Sequence, residues 1–205
     1  MYIQSSYTIK NMLSTGLKIH TKVNHQKLEK KIIAAINAID NTQGYADLLI
    51  LFASYFGAVE KLVDVSINLS CVPDYMKRRK VSALKADMDF LNTPLSSHAT
   101  PILLPDIENN LQCLGAMYVM EGSKLGGKVI SKHIQQTLAF SESCGAKFVS
   151  NYGVNTVALW KIFLSKFSEY VVENDCEEEA IRGANGAFTS IYDYFESNLF
   201  LIKEI

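Results

Sequence analysis

The sequence has little of what marks several large protein classes. Its cysteines are Cys71, Cys113, Cys144 and Cys176, far apart and without a CxxC pair. Zinc sites and redox dithiols are built on closely spaced pairs, so neither is expected. Apolar runs are short: IAAINAI and LLILFASYF fall well under the ~20 residues that cross a bilayer, so no membrane span is expected. Met1 to Ser6 lacks a charged stretch followed by an apolar core, which argues against a secretory signal. No GxGxxG or other nucleotide or flavin fingerprint occurs. The formal net charge is only −1, so there is no basic excess to draw nucleic acid. One dense basic run, Lys77-Arg78-Arg79-Lys80, reads as a solvated helix face or end. These absences leave a soluble cytoplasmic protein with reduced thiols as the expectation.

What is present is apolar residues, nearly half of the chain, at helical spacing. A first helix is expected from about residue 6 to about residue 30, with Leu13, Leu17, Thr21, Leu28 and Ile32 drifting along one side. The polar break at residues 40–44 precedes a long apolar helix over 45–67. Pro73 suits the first turn of a third helix reaching residue 91. Pro94, Pro101 and Pro105 make 92–105 an irregular connection. Asp106 is placed to cap or charge the start of a helix running to about residue 140. Loops at 141–145 and 151–153 lead to a helix over 156–172. Asp175 followed by Glu178 reads as a capping box for a last helix ending near residue 199. Few strand signals interrupt this pattern. The expectation is an all-α bundle of about six or seven helices, one domain over 1–205.

One stretch does not suit a helix interior. Residues 117–130, MYVMEGSKLGGKVI, hold Gly122, Gly126 and Gly127. Each glycine costs about 0.8–1 kcal/mol against alanine there, so three forgo roughly 2–3 kcal/mol. Three explanations are open: a neighbouring helix packs closely on the small-residue face, the helix breaks, or a flat ligand lies against bare backbone.

Near the N-terminus, LKIHTKVNHQKLEK sets Lys18, Thr21, His25 and Glu29 at offsets of three, four and four. At about 100° per residue these share one face, with His25 in its middle. Such a histidine can place one ring nitrogen on a metal while the other donates a hydrogen bond, and Glu29, one turn on, is a suitable acceptor, directly or through water. Lys18, ~10 Å before His25 along the axis, can pair with a carboxylate at the edge of a large ligand. The plain alternative is a surface histidine among lysines.

Taken together, LKxxTxxxHxxxE and YVxEGSxLGG resemble the haem oxygenases, particularly their bacterial branch. NGAFTSIYDYF resembles the family's last-helix pattern, and LLILFASYFGAVEKL and AKFVSNYG stand in the expected order. The resemblance runs from about Leu17 to Phe195. It implies the all-α haem oxygenase fold, with His25 as the iron ligand and Glu29 as its support. Lys18 and Tyr118 fall at the haem propionates, and Thr21 belongs to the same haem-facing motif. Gly122, Ser123, Gly126 and Gly127 line the opposite, oxygen-side face, and Phe188 packs on the porphyrin. Tyr118 and Phe188 have ordinary core packing as their alternative. Animal-type members carry an aspartate where Ser123 stands, and a serine can bond to water but cannot ionise. His133, two turns from Gly126, reads as a surface or packing residue.

The implied reaction is oxidative cleavage of haem to biliverdin, carbon monoxide and ferrous iron, with haem as substrate and cofactor and O2 as oxidant. Without a nucleotide fingerprint, the electrons must come from a partner protein, a ferredoxin or a reductase. Lys18, Lys22, Lys27, Lys30 and Lys31 form a candidate basic rim for it. A non-catalytic haem- or bilin-binding protein of the same fold is the alternative. A third reading is a relative that uses its cavity for another small molecule.

Overall fold

The computed structural model describes residues 2–78, 81–94, 102–141, 143–150 and 153–202. They form an all-α fold, with no named β-strand among the described residues. The long helices are α1 (Tyr2–Asn37), α2 (Thr42–Ser66), α4 (Asn110–Leu138), α6 (Thr156–Asn174) and α7 (Glu177–Asn198), with the shorter α3 (Val81–Phe90) and α5 (Lys147–Ser150) between them.

α1 outruns its expected end because its apolar stripe continues. Leu17, Thr21 and Leu28 are followed by buried Ala35 and Ile36, with buried Ile39 just beyond the helix. Asn41 then caps α2, its side chain accepting from the Gly44 amide at 2.9 Å. α2 is apolar nearly all round, as a central helix must be. Tyr45, Leu48, Leu49, Leu51, Phe52, Tyr55, Phe56 and Val59 are all buried. The Phe52 ring lies 5.3 Å from Phe148 and 5.2 Å from Phe195, so the core joins α2 to α5 and α7.

Four expectations are corrected. The helix expected to run from Pro73 to residue 91 is split into a 3-10 turn, Tyr75–Arg78, and α3. Within the basic run Lys77 is exposed as expected, but Arg78 is buried and ion-paired to Asp74 and Glu121, while residues 79–80 lie outside the described residues. The cap of α4 is Asn109, which accepts from the Gln112 amide at 3.0 Å, rather than Asp106. Asp175 belongs to the end of α6, in the left-handed region at φ 48°, and α7 begins at Glu177 without a side-chain cap. Glu177, Glu178 and Glu179 still place negative charge on the first turn of α7, where the helix dipole favours it. Of the loops, 95–101, 142 and 151–152 lie outside the described residues.

α4 and α7 cross where both lack side chains. A Cβ on Gly115 would meet the Ala180 carbonyl and the Ala184 amide, and one on Gly183 would meet the Gln112 backbone. α7 also packs along α1. It therefore stands between the two segments that the motifs single out.

Candidate functional site

On α1 the structure divides the expected face. Thr21 is buried and its hydroxyl donates to the Leu17 carbonyl at 2.6 Å. Lys18, His25 and Glu29 are exposed beside that buried stripe. The His25 ring meets Phe188 of α7 edge-on, with centroids 5.6 Å apart and an interplanar angle of 85°. Next to it, Asn24 donates to Asn185 at 2.8 Å, which fixes α7 against α1 at this level. Phe188 is buried. His25 and Phe188, far apart in sequence, are thus brought together.

On α4 the glycine segment is continuous helix, so it does not mark a break. Nor does close packing fill the face. Among the described residues a Cβ on Gly126 would meet nothing within 4 Å, and one on Gly122 would lie 3.6 Å from Trp160, an ordinary contact. Gly127, in contrast, is buried. Ser123 is exposed and donates to the Met120 carbonyl at 2.8 Å. Tyr118 is half-buried, its ring 5.3 Å from Trp160, and burial raises its phenol above the ordinary range. His133 is tied to the Ile39 carbonyl at 3.2 Å, the packing role expected of it.

Two features escaped the sequence. Trp160, the single tryptophan, covers the side of the bare face at Gly122 and stacks on Phe163 at 5.9 Å. Its signal is weak, since a lone tryptophan on an amphipathic helix is ordinary core. The second is a buried charge cluster of Arg78, Glu121 and Lys124 behind the glycines. Glu121 and Lys124 stand inside the YVxEGSxLGG motif, but nothing in the sequence announces that Arg78 reaches them. Two clefts, one beside α3 and the other beside Arg78 and Phe163, are lined by residues other than the expected site residues. Among the described residues no three His, Cys, Asp or Glu side chains converge as a chelating set. A metal at His25 would have to bring its remaining ligands with it.

Comparison with known proteins gives one answer at three levels. Residues 11–197 match the family model described as Heme oxygenase. The chain is similar to heme oxygenase PigA of Pseudomonas aeruginosa, 24% identical over 189 residues, covering 92% of this chain and 94% of that one. Its fold is similar to that of the heme oxygenase of Neisseria meningitidis, solved in NO- and CO-bound forms, with a TM-score of 0.77, 19% identity and 92% of each chain covered. It is also similar to heme oxygenase 2 from Chlamydomonas reinhardtii, solved without heme, with a TM-score of 0.78, 16% identity and coverage of 91% of this chain and 97% of the other.

Proposed function

The chain belongs to the haem oxygenase family of haem-degrading enzymes, and from that premise we propose that it cleaves haem to biliverdin, carbon monoxide and ferrous iron, using O2 and electrons from a separate donor protein. The observation that carries this reading is the uncovered backbone at Gly126. An exposed helical glycine whose added Cβ would meet nothing within 4 Å among the described residues is explained neither by close packing nor by a helix break. A flat ligand lying against the backbone explains it. The donor set fits haem as well: one exposed imidazole would suffice where a porphyrin supplies the iron's four ring nitrogens.

When bound, haem supplies both the oxygen-activating iron and the ring that is cut. His25 holds the iron from α1, as a neutral imidazole that donates less electron density than a thiolate. Phe188 supports the His25 ring at its edge and offers the porphyrin an aromatic surface. Glu29, one turn on, accepts from the free ring nitrogen, directly or through water. Lys18 would draw a propionate to the site, and Tyr118 would stand near the propionates. Gly122, Gly126 and Gly127 keep the α4 backbone free of side chains where it approaches the ring face. Ser123, exposed beside Gly122 and bonded to the Met120 carbonyl, would stand next to an ordered water that delivers protons.

The test is titration of the protein and of His25→Ala with haemin, followed by ascorbate or a reductase. The wild type is expected to give a histidine-ligated Soret band and then bilin, and the variant to lose both. An unchanged Soret band and undiminished bilin in His25→Ala removes that residue from the ligand role. A stable haem complex that never yields bilin moves the protein to the non-catalytic reading.

A further inference from the structure

Behind the bare face lies a set of buried charges that the proposed chemistry leaves unused. Glu121 and Lys124 bracket Gly122 and Ser123 in sequence, yet on a helical wheel they point roughly away from Gly122 and Gly126. Glu121 is 4% exposed, Lys124 5% and Arg78 3%. Arg78 donates through Nη1 to Glu121 Oε2 at 2.8 Å. Lys124 Nζ donates to Glu121 Oε1 and to the Arg78 carbonyl, each at 2.7 Å. The rest of the guanidinium goes to Asp74, through Nε at 2.8 Å and Nη2 at 2.7 Å, and to the Leu159 carbonyl at 3.2 Å. Leu159 is the residue before Trp160, whose ring stands beside Gly122. One guanidinium therefore ties the back of α4 to the α6 backbone that carries the tryptophan. Burial works against charge on Arg78, but its bonds to Asp74 and Glu121 raise its pKa further. Burial lowers that of Lys124 against the opposing pull of Glu121.

We propose that Arg78, Glu121 and Lys124 are positioning residues for the glycine face, fixing the rotation and height of α4 at Gly122–Gly126, and the place of Trp160 beside it, from the rear. The inference rests on the haem-cleaving reading of that face. Its physical basis is that helices lock their register by interdigitating side-chain ridges, and a face without side chains has no ridge to engage. Buried ion pairs add little net stability over apolar residues of the same volume. They are directional, however, and the planar fork of arginine fixes two partners at once. A helix that must stay bare on the ligand side can be held accurately only from its other side. Lysine at position 78 keeps the charge but lacks the fork, so it should hold the two walls less well.

The experiment compares wild type, Glu121→Gln/Lys124→Met and Arg78→Lys in two measurements. The first is backbone amide exchange of the haem-free protein. Both variants are expected to exchange about tenfold faster over residues 122–127, while 111–117, at the α7 crossing, keep their rates. A general loss of stability would raise both segments together. The second loads each protein with haemin and reads affinity and bilin isomers. Affinity should stay within about threefold while the isomer distribution shifts and turnover falls, the signature of a displaced face rather than a lost ligand. Uniform exchange, unchanged exchange, or local loosening with an unaltered isomer pattern and rate overturns the proposal. A wild type that takes up no haemin overturns the functional reading and removes the face's ligand with it. Exchange, measured without haem, tells that outcome apart from failure of the rear clamp.

Discussion

At Gly115 an added Cβ would meet the backbone of α7, whereas at Gly126, three turns along the same helix, it would meet nothing. The two positions should therefore respond oppositely to the same substitution. Gly115→Ala forces α4 and α7 apart and is expected to lower stability by about 1–3 kcal/mol, with or without haem. Gly126→Ala gains helix propensity, so the haem-free protein should be unchanged or up to about 1 kcal/mol more stable. Gly122→Ala should behave similarly, since its new methyl makes an ordinary contact with Trp160. In both ligand-side variants bilin formation should fall steeply. Melting with and without haemin, beside single-turnover assays, checks this, and lost apo stability with normal turnover in Gly126→Ala would return that glycine to packing. Thr21 makes the complementary case. Its hydroxyl is spent on the Leu17 carbonyl, so Thr21→Val should leave haemin affinity unaltered and change stability by no more than about 1 kcal/mol. A clear loss of affinity would put Thr21 back at the ligand.

At the scale of elements, the contact between α1 and α7 decides how His25 is presented. Phe188→Leu keeps an apolar side chain but removes the aromatic edge partner, a contact of about 0.5–1.5 kcal/mol, so haemin affinity should fall by a factor of about 2–10. Equal affinities in a haemin titration would show that the imidazole needs no such support. Helices with a long apolar stripe, such as α2 and α4, were legible in the sequence because burial imposes the same period that the residues display. Boundaries set by single polar groups were not. Asp175 followed by Glu178 has the spacing of a capping box, yet the chain uses Asp175 in a left-handed turn that ends α6. The split of the third helix has a related cause. Arg78 looks like part of a solvated run until Glu121, distant in sequence, supplies its buried partner. The motif residues on α1 and α4 could be named from the sequence, but the inward turn of Thr21, the cover of Trp160 and the rear clamp depend on how helices cross. A one-dimensional pattern does not carry that.

For the whole molecule the relevant quantity is where charge sits rather than its near-zero sum. Lys22, Lys27 and Lys30 are exposed on α1, and Lys31 is partly exposed, paired with Glu196 and lying 5.7 Å over the Tyr192 ring. No helix among the described residues is long and apolar enough to cross a membrane. The apolar side chains of Ile19 and Val23, 63% and 64% exposed, lie among those lysines, a mixture that suits a transient protein contact. An acidic electron donor would be steered to this surface from a distance, and steering acts on the association rate and weakens with salt. Lys22→Glu/Lys27→Glu/Lys30→Glu reverses the field while leaving Lys18 and His25 in place. With a negatively charged ferredoxin or reductase as donor, bilin formation at low ionic strength should fall by about tenfold or more, and added salt should narrow the gap between variant and wild type. Driven by ascorbate, a small reductant that needs no docking surface, the two proteins should turn over at the same rate. Equal rates with the protein donor at low salt would show that the donor docks elsewhere. A deficit that persists with ascorbate would show that the substitutions had damaged the haem site itself.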